Sequence, residues 1–264
     1  MEEPVMGKTA AIILNHNMPD YTDMLYESLK PYERDDYELF VLDNASKPEG
    51  RSKYTSFQLE TNVYFGGGLN ASMEFVKENP QYDSLLFLSN DLTVHPYNFV
   101  KTLREEMFKL VYLEFPVAYT DIEYDIVAPS FYNIEPNQQC HWKGMHSRCS
   151  KEIRQVVYSD FQCPLISRRL IEAVGSIDSD LMYGWGPDWL FALTAKKLGY
   201  KIGVVDRACI LHHNSLTVKR GVAGLDIPTY CRLAETGMKN FFVKTNMYND
   251  YMALRAEAEK YEIK

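Results

Sequence analysis

Short apolar runs that each stop at a polar cluster recur through the first part of the chain. Thr9–Leu14 ends at Asn15-His16-Asn17, Tyr37–Leu42 at Asp43-Asn44-Ala45-Ser46, and Ser84–Leu88 at Ser89-Asn90-Asp91. Runs of this length, bounded by turn formers, predict buried strands. Asp20 is placed to cap a helix carrying Leu25 and Leu29 on one face and broken near Pro31. Tyr64-Phe65-Gly66-Gly67-Gly68 is expected to open a second helix over roughly 69–77. Strands alternating with helices favour a mostly parallel sheet covered on both faces. Asn15, Asp43 and Asp91 then gather along one sheet edge, where open parallel sheets bind ligands. The competing explanation is that Asp and Asn simply favour turns.

Farther along, the pattern predicts a helix over Phe99–Tyr112 and a strand over Tyr124–Ala128 closed by Pro129. Residues 132–155 are polar and carry Cys140, His141, His146 and Cys149, whose spacing fits no common closed zinc site. A mobile loop or hairpin is the expectation there. Lys201–Val205 and Ala208–Leu211 read as two strands ahead of His212-His213. Adjacent strand residues face opposite ways, so one of the two histidines can reach a given site. From Pro228 onward Met247, Tyr251 and Leu254 recur at near-helical spacing.

Between these lies Tyr183-Gly184-Trp185-Gly186-Pro187-Asp188-Trp189, a Gly/Pro-broken turn leading into Leu190, Leu193, Ala195 and Leu198. Asp188 therefore opens a helix beside two indoles. Such an acid can answer the helix macrodipole, or serve as a general base in a sugar-sized aromatic pocket.

Composition narrows the partners. With 264 residues and 46% hydrophobic content, the chain can bury one large core. No apolar run approaches the ~18 residues of a membrane span. The acidic start, Met1-Glu2-Glu3-Pro4, is unlike a secretory leader. Five cysteines, an odd number, point to reduced thiols and a cytoplasmic protein. A net charge of −8 argues against nucleic acid as a partner. It leaves room for a small anionic ligand held by backbone amides or a metal.

The glycine run followed by Asn70 matches neither the dinucleotide fingerprint nor the P-loop. Both a close backbone approach to a nucleotide and a plain tight turn stay open. Asp91, at a strand end, suits a Mn²⁺ or Mg²⁺ ion held against a diphosphate, with His212, or alternatively His213, completing the shell. Such a cation would stabilise charge on a departing diphosphate. A nicotinamide-dependent oxidoreductase is disfavoured, because Asn15-His16-Asn17 stands where its glycine fingerprint belongs.

Taken in order, Asn15-His16-Asn17, Val41–Ser46, Asn62–Asn70, Leu88–Asp91, Gly184–Asp188 and His212 resemble family 2 glycosyltransferases of the GT-A fold. The nearest likeness is to rhamnosyltransferase-type members of bacteria, phages and large viruses. Phe161–Arg168, ahead of Val174-Gly175, resembles the family's segment just before the base. The resemblance covers about residues 9–215. It implies an α/β, Rossmann-like mixed and mostly parallel sheet flanked by helices, with a C-terminal helical extension. Residues 1–226 would form the catalytic domain, 1–95 its nucleotide-binding half and 96–226 its acceptor and catalytic half, with 227–264 a helical tail packed on it. The implied activity is inverting transfer from a nucleotide-diphosphate sugar to a glycan or other hydroxyl acceptor, in the cytoplasm of a bacterial, phage-infected or virus-infected cell.

The resemblance also assigns roles. Asp43 would contact the base, with Asn15, Asn17, Asn44, Gly67, Gly68, Asn70 and Asn90 around the nucleotide sugar. Asp91 matches the last acid of the Asp-x-Asp motif, His212 the late metal or diphosphate contact, and Asp188 the catalytic base. Trp185, Gly186 and Trp189 would line the sugar or acceptor pocket. Residues 132–155 and the tail beyond Leu216 are expected on the acceptor side. One departure stands out: Ser89 occupies the place of the motif's first acid. That lost charge keeps open a second reading, a catalytically silent nucleotide- or glycan-binding scaffold of the same fold.

Overall fold

The computed structural model describes residues 7–34, 36–94, 98–112, 118–132, 142–213, 216 and 224–261. Strand β1 is Lys8–Asn15, and its Ala10–Ile13 stretch is fully buried. Helix α1 spans Pro19–Leu29; Met18 takes the cap position and Asp20 falls in the first turn. Proline at the first helical position starts the helix before Asp20 can cap it. Strand β2 (Tyr37–Asp43), strand β3 (Phe57–Gln58), helix α2 (Tyr64–Glu78), strand β4 (Tyr82–Ser89) and strand β5 (Leu92–Val94) follow.

Helix α3 covers only Phe99–Met107, and Phe108–Tyr112 turns into strand β6, paired antiparallel with β7 (Ala118–Ile122). The helix expected to reach Tyr112 is thus cut short where Phe-Lys-Leu-Val-Tyr favours a strand over a helix. Strand β8 is Ile126–Phe131, β9 Arg154–Val156 and β10 Leu165–Ser167, followed by helix α4 (Arg168–Val174), helix α5 (Pro187–Leu198) and strand β11 (Ile202–His212). The two strands expected before the histidines are therefore one. Pro129 lies inside β8, opposite Val205, where the β8–β11 register shifts before Ile210. A proline has no N–H for a regular ladder and is accommodated at such an irregularity. Helices α6 (Ile227–Lys244) and α7 (Tyr248–Ala258) form the expected helical extension.

The main sheet runs β3-β2-β1-β4-β10-β8-β11-β5, with β9 also on β11. Its long ladders, β2–β1–β4 and β8–β11, are parallel, and the short β10, β5 and β9 pairings are antiparallel. In this register Asn15 pairs with Asp43 and His212 with Leu92, which brings the polar strand ends together. One core cluster lies on the sheet. A second, of Leu181, Leu190, Phe241, Phe242 and Tyr251, ties α5 to α6 and α7. Among the described residues no helix is long and apolar enough to cross a membrane.

Gly66-Gly67-Gly68 forms no loop; it is the first stretch of α2. A Cβ on Gly66 would stand 2.4 Å from the Leu181 carbonyl oxygen, and one on Gly68 2.6 Å from Leu14 Cδ1. Gly66 N–H donates to the Met182 carbonyl at 2.8 Å. Gly66 and Gly68 let α2 press against the 181–182 turn and β1, so the close approach they serve is to the protein's own backbone and side chains.

Candidate active site

A cavity of about 200 Å³ opens at the polar ends of β1, β2 and β4. Asn44, Asn90, Asp91, Trp185, Asp188 and His212 all line it, and Ser89 joins them from the end of β4. Six expected site residues, drawn from four separate segments, thus share one space.

Asp91 and His212 are both buried, with Asp91 Oδ1 3.2 Å from His212 Nε2. The other Asp91 oxygen accepts the Leu216 N–H at 3.1 Å. Burial pushes the Asp91 carboxyl upward, but the His212 imidazole and the Leu216 N–H outweigh it and hold the group below its ordinary value. His213 points elsewhere, its Nε2 2.9 Å from Thr93 Oγ1. The alternation of a strand separates the two histidines, and His212 is the one at the cavity.

Asp188 lies in the first turn of α5, after Gly184 and Gly186, both at positive φ. Glycine alone takes that backbone without strain, so the turn can aim Asp188 inward. Its Oδ1 accepts the Trp189 N–H at 2.8 Å, and its Oδ2 stands 2.5 Å from the Tyr158 hydroxyl. Burial raises the carboxyl to about 7, the Tyr158 hydrogen bond opposing and the nearby Asp160 charge adding to the rise. A carboxyl poised near neutrality inside a cavity has the property a general base needs.

Several expected residues stay out of the cavity. Asn15 is fully buried, its amide donating to Ser46 Oγ and the Gly50 carbonyl and its Oδ1 accepting from Thr22 Oγ1. Asn17 Oδ1 accepts the Lys47 N–H, and Asn70 Oδ1 accepts the Ile177 N–H. Gly67 and Gly68 serve the α2 packing, and Gly186 at φ 103° shapes the turn. Trp189 stacks on Tyr158 with ring centroids 3.8 Å apart and does not line the cavity, whereas Trp185 is 41% exposed at it. Asp43 is fully buried; Oδ1 accepts the Ser46 N–H, and Oδ2 has no hydrogen-bond partner among the described residues.

Others were not singled out beforehand. His16 bridges the loops after β1 and β2 and the turn before α2: Nε2 accepts from the Asn17 and Asn62 amides at 3.2 Å each, which leaves the proton on Nδ1 to donate to the Asn44 carbonyl at 2.7 Å. Tyr64, Phe65 and Tyr183 line the cavity with Tyr230 of α6, whose hydroxyl donates to the Tyr183 carbonyl. Only neighbourhood could have flagged His16, Tyr64 and Phe65, since they sit inside the quoted motifs; Tyr158, Asp160 and Tyr230 carry no local signal.

Residues 142–156 are pinned rather than loose. Asp206 accepts the Arg148 and Ser150 N–H groups and pairs with Arg154 at 2.9 Å, and none of this stretch lines the cavity. Of the four zinc candidates, Cys140 and His141 lie outside the described residues, and Cys149 is exposed. No cluster of three or more metal-ligating side chains occurs among the described residues.

No protein-family model matches the sequence. No curated protein matches it by sequence either. Solved structures do match in three dimensions. GalNAc-T7, in a complex with UDP, GalNAc and Mn²⁺, superimposes with a TM-score of 0.59 at 14% identity, over 80% of this chain and 44% of that one. The chain thus spans less than half the length of GalNAc-T7. The mannosyltransferase PcManGT of Pyrobaculum calidifontis, with GDP-Man and Mn²⁺, gives 0.53 at 13% identity over 97% of this chain and 76% of that one. Glucosyl-3-phosphoglycerate synthase of Mycobacterium tuberculosis, with Mg²⁺ and uridine-diphosphate, gives 0.51 at 15% identity over 82% and 77%. The chain has the GT-A fold. Within that GT-A sheet the cavity occupies the strand-end edge expected for ligands in open parallel sheets.

Proposed function

We propose that the protein is an inverting glycosyltransferase that moves a sugar from a nucleotide-diphosphate sugar to an acceptor hydroxyl, with Asp188 as the general base. The observation that carries this reading is the presence in one cavity of a carboxyl raised to about 7 and the buried Asp91–His212 pair. The three fold relatives above were each solved with a nucleotide or nucleotide sugar and a divalent cation, which supports the same substrate class here.

Asp91 and His212 fit a Mn²⁺ or Mg²⁺ ion. They converge from the β4–β5 turn and the end of β11 within 3.2 Å, and Ser89 and Asn90 bring neutral oxygens to the same cavity. A single carboxylate with diphosphate and water oxygens is the ordinary environment of Mg²⁺. Ser89 in place of a second acid is compatible with that count. The cation would neutralise negative charge developing on the leaving diphosphate.

The chain's own residues then divide the work. The His16–Asn44–Asn62 network fixes the loops that line the cavity. Trp185 offers an exposed indole face to a sugar ring. Asp188 takes the acceptor's hydroxyl proton as that oxygen attacks the anomeric carbon from the face opposite the diphosphate. Double displacement would need a second carboxylate as nucleophile. Among the described residues Asp91 is the other acid lining the cavity, and it is the one assigned to the cation. A single displacement with inversion is therefore the better fit.

A panel of UDP-, GDP- and dTDP-sugars with Mn²⁺ tests this. Release of nucleoside diphosphate from at least one donor, and an inverted anomeric linkage in any transfer product, are expected. Tight nucleotide binding with no turnover on any donor would instead establish the silent scaffold.

A further inference from the structure

Tyr158 follows β9, is buried, and packs between two indoles. Its ring stacks on Trp189 at 3.8 Å and meets Trp142 edge-on at 5.4 Å. Its hydroxyl stands between two carboxylates, 2.5 Å from Asp188 Oδ2 and 2.9 Å from Asp160 Oδ1. The far oxygen of Asp160 accepts the Trp142 N–H at 2.9 Å. Three oxygens in a row make two gaps of hydrogen-bond length, and a phenol has one proton to fill them. With both acids ionised, one gap places an oxygen lone pair against a carboxylate. With one further proton, both gaps are filled.

We infer that Tyr158 and Asp160 complete a buried carboxyl–phenol–carboxyl relay behind Asp188, in which Tyr158 is a positioning residue for the base and Asp160 accepts the phenol O–H hydrogen bond whenever Asp188 is protonated. The inference rests on Asp188 being the base proposed above. Before transfer, the Tyr158 O–H donates to ionised Asp188 and the Asp160 side of the phenol is unfavourable. The acceptor O–H bond breaks, its proton forms an O–H bond on Asp188, and the acceptor oxygen bonds to the anomeric carbon as the diphosphate leaves. The new proton occupies the Asp188–Tyr158 gap while the phenol O–H turns to Asp160 Oδ1. No proton is lost or gained beyond the one abstracted, and the relief of the unfavourable gap makes proton capture easier.

Among the described residues the groups facing Asp188 are Tyr158 and Asp160 from the segment after β9 and the Gly186 and Trp189 N–H groups at the start of α5, and Asp91, His212, His16, Tyr64, Tyr183 and Tyr230 share the cavity. The relay predicts opposite effects of its two members. Asp160→Asn removes the neighbouring negative charge and lowers the Asp188 midpoint. Tyr158→Phe removes the donor to ionised Asp188 and raises it. Both substitutions preserve shape: Phe keeps the stack on Trp189, and Asn keeps an oxygen for the Trp142 N–H.

The test is a ¹³C-carboxylate NMR titration of ligand-free protein labelled at aspartate, with the Asp188 resonance assigned by its loss in Asp188→Asn. Midpoints displaced downward in Asp160→Asn and upward in Tyr158→Phe, by about one pH unit each, are expected. The acid limb of the transfer rate should move with them. Unchanged midpoints, or displacement in the same direction in both, would overturn the relay. Each variant tests its sign alone, so misfolding of one leaves the other decisive. The titration needs no turnover: split midpoints in an inactive protein would keep the relay and discard the transferase, and an active protein with unmoved midpoints would do the reverse.

Discussion

Asp91 and His212 are locked together by the sheet itself. The β5–β11 pairing sets His212 opposite Leu92, and the His213 N–H donates to the Asp91 carbonyl at 2.9 Å, so backbone bonds hold acid and imidazole 3.2 Å apart. Such a pair can be preorganised for a cation without a third protein ligand, because diphosphate oxygens can complete the shell.

Asp91→Ala should therefore abolish Mn²⁺ or Mg²⁺ stimulation and weaken nucleoside-diphosphate binding about tenfold or more, given the 10–100-fold metal-affinity losses usual even for outer-shell changes. Calorimetry with and without Mn²⁺ checks it. Metal-dependent binding that survives intact in the Ala variant would remove Asp91 from the cation site.

The raised Asp188 carboxyl predicts two pH effects of known sign. A base must be ionised to work, so turnover should fall as pH drops through about 7. The folded protein also holds that proton more tightly than the unfolded chain, whose aspartates titrate near ~4. Stability from this group is full below that lower value and is lost as pH rises to about 7. Asp188→Asn cannot ionise, so between pH ~5 and ~8 it should gain about 3 kcal/mol on the wild type. Denaturant melts at both pH values measure it; a constant difference would contradict the shift.

Gly66→Ala should cost about 1–3 kcal/mol, the usual scale of overpacking. Its Cβ would meet the Leu181 carbonyl at 2.4 Å and Met182 Cα at 2.8 Å. The turn that must move carries Tyr183, Gly184 and Trp185 of the cavity, so donor affinity should fall along with the melting temperature. An unaltered melt would show that α2 does not need this close approach.

Trp185→Ala, at an exposed cavity face, should leave stability near wild type and raise the KM for a sugar substrate, stacking being worth about 1 kcal/mol. A kinetic comparison of donor and acceptor KM values identifies which sugar lies on the indole, and no change in either would discard it as a platform.

Strand ends were legible because a buried strand is an apolar run with a visible stop: Leu14–Asn15, Leu42–Asp43 and Leu88–Ser89 all fall where expected, and they gather the cavity. Asp188 and Trp185 were legible because Gly184 and Gly186 announce a turn before α5. Apart from Asp91 and His212, contacts between residues distant in sequence were not legible. The glycines of α2 answer to Leu181 and Leu14, and Asn70 answers to Ile177, partners that no local pattern names. Tyr158 and Asp160 are unremarkable in sequence, and only folding puts their oxygens behind Asp188. The strand at Phe108–Tyr112 likewise depends on a partner, Ala118–Ile122, that the helical reading of 99–112 did not name.

The most direct test of the account is the steady-state rate of nucleoside-diphosphate release from the active donor, in the presence of acceptor and Mn²⁺, for wild type and Asp188→Asn. Loss of a general base typically costs about 10²–10⁴-fold. The account predicts a fall of at least a hundredfold in kcat with nucleotide affinity within about twofold of wild type, because the base serves the acceptor and leaves nucleotide contacts alone. Near-normal turnover in the folded Asn variant would contradict it.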